Sequence, residues 1–365
     1  MGDVQSLSET IQGLGGTLTE VGGILVPARF SRPEATHRAV RSGVGVTRHP
    51  WGVLTVSGED RGTFLDDTLT CTLPEAEGDV NYGFLLDPDG AIKTDLYLVD
   101  AGDRYLCLTA PGTAASLADS LSSRTFIQDV TVDDVTQDHV LFGIHGPAAQ
   151  TKLNSVMPQG TPPAEALAME RGIIREQGVT VVRLDAPTGE RGYVAICRNE
   201  DGASVFDALV NLGALATPFG YDTWRALTLE AGTPLYETEL TGRTPNVCGQ
   251  LTAGVSLEKG CFIGQEAVAR VANLATPRHR LFGLRASTFP EAPAEVTIEG
   301  HRPGTLTRET TSPILDSAIA MALLPADIDV GSVVSVGKDE IEAKVVPLPF
   351  VEGGEGSARC PQYDG

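Results

Sequence analysis

Lysine is scarce in this 365-residue sequence, and the shortage comes with a strong acidic balance. Lysine occurs only at positions 93, 152, 259, 338 and 344, and 48 acidic residues outnumber 27 basic ones, which gives a net charge of −21. A field of this sign repels nucleic-acid phosphates and anionic membrane surfaces, so we expect neither a nucleic-acid nor a membrane partner. Many acidic residues and few lysines also favour a halophilic protein, with an ordinary acidic protein as the alternative.

Long apolar runs and paired cysteines are also missing. No stretch approaches the roughly 18 apolar residues that span a membrane, and residues 1–19 lack the parts of a signal peptide, so we expect a cytoplasmic protein. The six cysteines show no CxxC spacing, which argues against a disulfide framework and a zinc site. The histidines lack metal-ligand spacing, and we expect no metal site. The sequence contains neither a phosphate-binding Gly-x-x-x-x-Gly-Lys-Ser/Thr loop nor a Gly-x-Ser-x-Gly turn. Nucleotide hydrolysis and esterase chemistry therefore have no support.

The length predicts two or three domains. Turn residues at 87–90 and 185–189 predict two hairpins. Beyond about residue 275, short apolar segments separated by turn residues predict a small all-β barrel. Residues 353–365 are rich in Gly, Glu and Ser and predict a flexible tail.

The strongest local feature is the run from Lys259 to Glu266, Lys-Gly-Cys-Phe-Ile-Gly-Gln-Glu. Its glycines predict a turn that leads into a helix. A helix N-terminus and the neighbouring Lys259 would both favour the thiolate form of Cys261. The alternative is a tight turn in which the cysteine only packs, and residue chemistry alone leaves the two interpretations even.

This run resembles the Lys-Gly-Cys-Tyr-x-Gly-Gln-Glu signature of YgfZ-like proteins, a branch of the glycine-cleavage T-protein (GcvT, aminomethyltransferase) superfamily. Phe262 replaces the tyrosine of the signature. The segment 229–234 resembles the Leu-Glu-Ala-Gly run that the superfamily shares, and segments 53–60 and 86–90 resemble its first strand–helix unit and hairpin. The chain is therefore identified as a member of this superfamily and of its YgfZ-like branch.

The resemblance implies a three-lobed α+β fold of the GcvT type. Residues 1–275 would form a folate-binding module of two lobes, residues 276–352 a C-terminal β-barrel, and residues 353–365 the flexible tail. The ligand would be tetrahydrofolate, bound in a central cavity where the lobes meet.

Two segments carry the candidate folate contacts and chemistry. The segment Thr188 to Tyr193 resembles the T-protein segment whose glutamate holds the folate ring, and Glu190 is the matching position; a turn carboxylate in solvent is the alternative. T-proteins also carry paired aspartates on the return strand of the first hairpin, where this chain has Thr94 and Asp95. Thr94 cannot accept a proton as a carboxylate does, and strand alternation would turn Asp95 to the opposite face.

Asp95 and Cys261 are the candidate catalytic residues. Trp224 takes the position of a folate-contacting arginine of T-proteins, where its ring could stack on a flat ligand, and Arg225 could pair with a glutamyl carboxylate. The candidate folate contacts are therefore Glu190, Asn81, Tyr82, Trp224, Arg225, Lys259 and Gln265.

The resemblance leaves more than one function open. The YgfZ-like branch implies a tetrahydrofolate-dependent factor for assembly or repair of iron–sulfur clusters in client proteins, with Cys261 as the key thiol. The alternative is an enzyme, a folate-dependent aminomethyltransferase or demethylase, which Glu190 favours and Thr94 opposes. A folate carrier without chemistry is a third, weaker interpretation.

Overall fold

The computed structural model describes residues 6–125, 127–274, 277–298 and 302–363. The α-helices in these ranges are α1 Leu7–Gly13, α2 Pro33–Ser42, α3 Arg61–Asp66, α4 Ala114–Ser122, α5 Ala149–Val156, α6 Gly202–Asn211, α7 Tyr221–Glu230, α8 Leu251–Gly254 and α9 Gln265–Leu274. The strands are β1 Thr17–Val21, β2 Ile24–Arg29, β3 Gly45–His49, β4 Gly52–Ser57, β5 Val80–Leu86, β6 Ile92–Asp100, β7 Tyr105–Thr109, β8 Thr131–Asp134, β9 His139–His145, β10 Ala168–Ile174, β11 Gln177–Arg183, β12 Gly192–Arg198, β13 Thr217–Pro218, β14 His279–Ala286, β15 Ala294–Ile298, β16 Arg302–Ser312, β17 Ser317–Pro325, β18 Val333–Val336 and β19 Ile341–Val346.

Two sheets form the body of the protein. The first lobe is built on a five-stranded sheet in the order β5-β6-β7-β4-β8, and the second on a six-stranded sheet in the order β10-β11-β12-β9-β3-β13. Both predicted hairpins are present, as β5–β6 and β11–β12. In the first, Asp87 Oδ1 accepts hydrogen bonds from the backbone N–H groups of Asp89 and Ala91, and Gly90 adopts a φ of 82°. A short acidic side chain and a glycine therefore fold this turn.

The predicted C-terminal barrel is confirmed. Strands β14, β17, β16, β15, β18 and β19 close into a barrel whose inner residues form their own apolar cluster. The expected boundary at residues 275 and 276 lies outside the described residues. The α+β fold with a closed six-stranded barrel agrees with the expected GcvT-type architecture.

One large apolar core joins the three parts. It contains Trp51 and Tyr97 from the first lobe, Val194 from the second, Trp224 from α7 and Met321 from the barrel. Helix α7 is central, because it contacts β2, α2 and the barrel strands β16 and β17. The lobes and the barrel are therefore held together by shared apolar burial around this helix.

The segment expected to be a flexible tail is packed against the body over its described part, residues 353–363. The backbone N–H groups of Glu355 and Gly356 donate to the Gly189 carbonyl at 3.1 and 3.0 Å. Arg359 is only 3% exposed. Tyr363 donates to the Val247 carbonyl at 2.9 Å. The expectation of a loose tail was wrong because the partners of its glycine- and serine-rich backbone lie far away in sequence, which composition does not reveal.

Within the described ranges, the structure contains no helix that is both long and apolar enough to cross a membrane. The same residues contain no group of three or more His, Cys, Asp or Glu side chains arranged to hold a metal ion.

Candidate functional site

A cavity lies where β6, β7 and α7 meet. Five aromatic side chains line it, together with Asp95 and Arg359. These aromatic residues are Trp51, Tyr97, Tyr221, Trp224 and Tyr236. Trp51 lies close to both Tyr97 and Trp224, with ring centroids 5.7 and 6.2 Å apart. Flat aromatic walls of this kind bind planar ligands well.

Asp95 is one of two acidic residues of the cavity wall, with Glu237 as the other, and it is 8% exposed. Its Oδ2 accepts a hydrogen bond from the Tyr82 hydroxyl at 2.7 Å and lies 3.5 Å from Arg359 Nη1. Its Oδ1 is buried without a hydrogen-bond partner among the residues that the structure describes. Burial raises the pKa of Asp95, and the charge of Arg359 opposes that rise. The carboxylate therefore retains one free oxygen and an increased tendency to accept a proton.

Thr94 lies on the other face of the same strand. Its hydroxyl is 2.8 Å from that of Thr113 and donates to the backbone carbonyl of Asp95. Side chains do alternate along β6, as the sequence predicts. The predicted orientation of Asp95 was wrong, however, because Asp95 faces the cavity and Thr94 faces away. The loss of an aspartate at position 94 therefore removes no carboxylate from the cavity.

A second carboxylate, Asp185, completes a polar cluster beside the cavity. The Tyr97 hydroxyl donates to Asp185 Oδ1 at 2.7 Å, and Arg359 Nε lies 3.2 Å from Asp185 Oδ2. The Arg359 guanidinium also lies over the rings of Tyr82 and Tyr97, 4.8 and 5.5 Å from their centroids. Sequence reasoning missed three members of this cluster. Tyr97 was detectable from its i+2 spacing to Asp95 on a strand, whereas nothing in the sequence around Arg359 indicates its position.

Only part of the predicted set of folate contacts meets at the cavity. Trp224 lines it, and Tyr82 reaches it through Asp95. Arg225 does not line the cavity. The Asn81 amide points away from Tyr82 and donates to the Thr72 carbonyl at 2.9 Å, as expected for neighbouring residues on one strand.

Glu190 is half-buried and lies outside the cavity wall. Its carboxylate adjoins Gly354, where an added Cβ would lie 3.0 Å from Glu190 Oε2. The packed segment 353–363 therefore covers the carboxylate that the sequence predicted to hold the folate ring.

Three residues of the run Lys259–Glu266 anchor their loop to the first lobe. The Lys259 ammonium donates to the carbonyls of Leu69 and Cys71 at 2.9 and 2.8 Å. Phe262 is buried in the main core. Gly264 has a φ of 79°, and an added Cβ would lie 2.6 Å from the Asp87 carbonyl oxygen. Much of the motif thus has a structural explanation.

Cys261 itself is exposed on this anchored loop, and it does not line the cavity. Helix α9 begins at Gln265, four residues later. The Gln265 amide donates to the Gly260 carbonyl at 3.4 Å and does not line the cavity either. The structure therefore separates the thiol of the motif from the aromatic cavity.

Comparison with known proteins gives the family. Residues 7–259 match the GCVT N-terminal domain, and residues 279–352 match the glycine cleavage T-protein C-terminal barrel domain. The aminomethyltransferase of Saccharopolyspora erythraea is 29% identical over 358 residues, which span 94% of this chain and 96% of that protein. The aminomethyltransferase of Streptomyces avermitilis is 31% identical over 352 residues, which span 92% and 94% of the two chains.

A solved structure shares the whole fold. The crystal structure of glycine cleavage system aminomethyltransferase T from Bartonella henselae superposes with a TM-score of 0.84 at 22% identity, over 98% of each chain. With the two domain matches covering most of the sequence, the chain belongs to the glycine cleavage T-protein (GCVT) family.

Proposed function

We propose that this protein is a folate-dependent one-carbon transferase of the aminomethyltransferase type, with tetrahydrofolate bound in the central cavity. The proposal takes up the alternative of the sequence analysis, and the names of the relatives at 29–31% identity support it. The observation that carries it is Asp95, a buried carboxylate with one unpartnered oxygen among aromatic walls.

The walls of the cavity suit the pterin ring of folate in their chemical character. Trp51, Tyr97 and Trp224 provide flat apolar surfaces for a pterin ring. Asp95 Oδ1 is free to accept a hydrogen bond from a ring N–H group. When bound, tetrahydrofolate would supply the nitrogen that receives the one-carbon unit.

Asp95 would carry the chemistry of the protein. The Tyr82 hydroxyl fixes its Oδ2, which leaves Oδ1 for the ligand. Because burial raises the pKa of Asp95, this carboxylate accepts a proton more readily than an exposed aspartate does. When ionised, it would also stabilise positive charge that develops near the folate nitrogens, in a cavity from which most water is excluded.

The test is formation of methylene-tetrahydrofolate from an aminomethylated or methylated donor by the purified chain. Asp95→Asn keeps the shape of the side chain and should slow turnover by about 10²–10⁴-fold, with tetrahydrofolate binding largely retained. Asp103→Asn is the matched control, because Asp103 lies exposed on the first lobe and pairs with Arg104. Equal turnover by the Asp95→Asn and Asp103→Asn variants would remove Asp95 from the mechanism.

A second candidate function rests on Cys261. Its exposure on a loop anchored by Lys259, Phe262 and Gly264 presents a thiol at a fixed surface position. That arrangement fits the YgfZ-like role in assembly or repair of iron–sulfur clusters in client proteins, but with the thiol outside the folate cavity. Cys261→Ser should then impair iron–sulfur enzymes in cells and leave one-carbon transfer by the purified protein unchanged. Normal iron–sulfur enzyme activity in those cells would exclude this role.

The cytoplasmic location, the halophilic character and the absence of nucleic-acid and membrane partners stay predictions from composition. Two measurements on a deletion strain compare the candidate functions in the cell. Poor growth on glycine as nitrogen source would favour the one-carbon transferase, and low activity of iron–sulfur enzymes would favour the role of Cys261.

A further inference from the structure

The segment 353–360 crosses the candidate folate site. At one end, Gly354 lies against the Glu190 carboxylate. The Ala358 backbone N–H donates to the Asp185 carbonyl at 3.2 Å, and Arg359 then projects between the carboxylates of Asp95 and Asp185. The segment therefore contacts both carboxylates that the sequence and the structure connect with folate, Glu190 and Asp95.

Arg359 occupies a box with a defined chemical preference. Two carboxylates approach the edge of its guanidinium, and the rings of Tyr82 and Tyr97 lie together on one side of it, with centroids 4.8 and 5.5 Å away. Such a box selects a flat group with N–H donors around one carbon. The 2-amino-4-oxopyrimidine edge of a folate has the same arrangement, with three nitrogens on one carbon. Arg359 is thus a chemical analogue of that ring edge, and it takes the space beside Asp95 that a bound pterin would need.

Little room remains beside Arg359. The space open to the centres of water molecules in the cavity is about 30 Å³, which is enough for about two waters. Pockets that enclose a small organic ligand measure about 300–1,000 Å³. A pterin ring cannot enter this cavity while Arg359 stays in place.

The contacts at the Glu355 end of the segment are of a kind that can open, whereas Arg359 at the other end is buried. Residues 353–363 contain neither helix nor strand. Glu355 is a quarter exposed where it pairs with Arg183 and Arg191, at 3.0 and 2.7 Å. Partly exposed ion pairs contribute little to stability, and irregular segments open at lower free energy than the core does.

We propose that Arg359 is an internal competitor for the folate cavity, so that segment 353–360 has to leave before the ligand enters. This inference rests on the proposed folate binding and adds its regulation. The protein would exist mainly in a closed state, and the apparent affinity for folate would be reduced by the small fraction of open molecules.

Calorimetric titration with tetrahydrofolate tests the inference on the full chain. Arg359→Gln removes the charge that holds the closed state and should tighten binding by about tenfold or more. Arg359→Lys keeps the charge without the planar fork and should give an intermediate affinity. Arg104→Gln is the control, since it makes the same change of net charge at an exposed ion pair away from the cavity.

The outcomes separate this inference from the proposed function. Equal or weaker binding by Arg359→Gln, with clear binding by the unaltered chain, would overturn the competitor role and leave folate binding intact. No binding by the unaltered chain or by any variant would contradict both proposals. Binding by Arg359→Gln alone would support both.

Hydrogen exchange on the unaltered chain gives a second readout, which does not depend on whether an Arg359 variant folds. The N–H groups of Glu355, Gly356 and Ala358 are hydrogen-bonded in the closed state. Saturating tetrahydrofolate should speed their exchange while it protects the strand around Asp95. Unchanged or slower exchange of residues 353–360 in the folate complex would overturn the inference.

Discussion

Lys259 offers a sharp test of how the run Lys259–Glu266 works, because its role in the structure is mechanical. The Lys259 side chain is 4% exposed, and its ammonium contacts the carbonyls of Leu69 and Cys71 and the Asp66 carboxylate at 2.9, 2.8 and 3.0 Å. Lys259→Met keeps the length of the stem but removes all three contacts. We expect it to destabilise the protein and leave the chemistry of the cavity unchanged.

The loss of stability in Lys259→Met can be estimated from the two carbonyl groups that lose their hydrogen-bond donor. A buried acceptor that loses its donor costs about 1–3 kcal/mol. The Asp66 side chain is 38% exposed, so its ion pair adds less than about 1 kcal/mol. Release of the buried charge offsets part of the loss, because methionine carries no desolvation cost. The free energy of unfolding should fall by about 2–4 kcal/mol.

Urea denaturation measures this change, and Cys261→Ser is the matched control two residues away. Because Cys261 is exposed, its substitution should alter stability by less than about 0.5 kcal/mol. A Lys259→Met protein with unaltered stability and lost folate binding would refute the structural role and make Lys259 a ligand contact.

Three further predictions concern single substitutions at His145, Glu230 and Gly264. Burial lowers the pKa of His145 to about 3, so the unfolded chain takes up a proton below about pH 6.5 while the folded chain does not. The free energy of unfolding should therefore fall as the pH drops, by about 2 kcal/mol at pH 5. In denaturation curves, His145→Gln should make this free energy depend less on pH. Glu230→Gln leaves the charge of Arg41 uncompensated, 2.7 Å away in the unaltered protein, and should cost about 3–5 kcal/mol of unfolding free energy; an unchanged urea midpoint would contradict it. Gly264→Ala should lower the free energy of unfolding by about 1–3 kcal/mol, because Gly264 has a φ of 79° and lies against the Asp87 carbonyl. Gly260 has open space around it, so Gly260→Ala should lower this free energy much less. Equal thermal midpoints for the two variants would exclude the close contact at Gly264.

Much of the fold was predictable because it depends on local signals. The turn at 87–90 contains its own folding information in Asp87 and Gly90, and the barrel strands alternate with turn residues at short intervals. The superfamily resemblance supplied the arrangement of these parts, which hydrophobic patterns alone do not give.

The candidate site was harder to predict because its members meet through long-range packing. Strand alternation fixed the relation between Thr94 and Asp95, but only long-range packing, including that of β6 against the segment Tyr236–Leu240, decides which of them faces the cavity. Arg359 lies 264 residues from Asp95 in sequence. Its burial depends on two carboxylates and two tyrosines that only the folded chain assembles, so no local pattern could indicate it.

The most direct test of the central claim is a crystal structure of the protein with tetrahydrofolate bound. The account predicts a pterin ring in the central cavity, within hydrogen-bond distance of Asp95 Oδ1 and against Trp51 or Trp224, with Arg359 withdrawn from between Asp95 and Asp185. A complex in which the ring lies outside this cavity, with Arg359 still in place, would contradict the account.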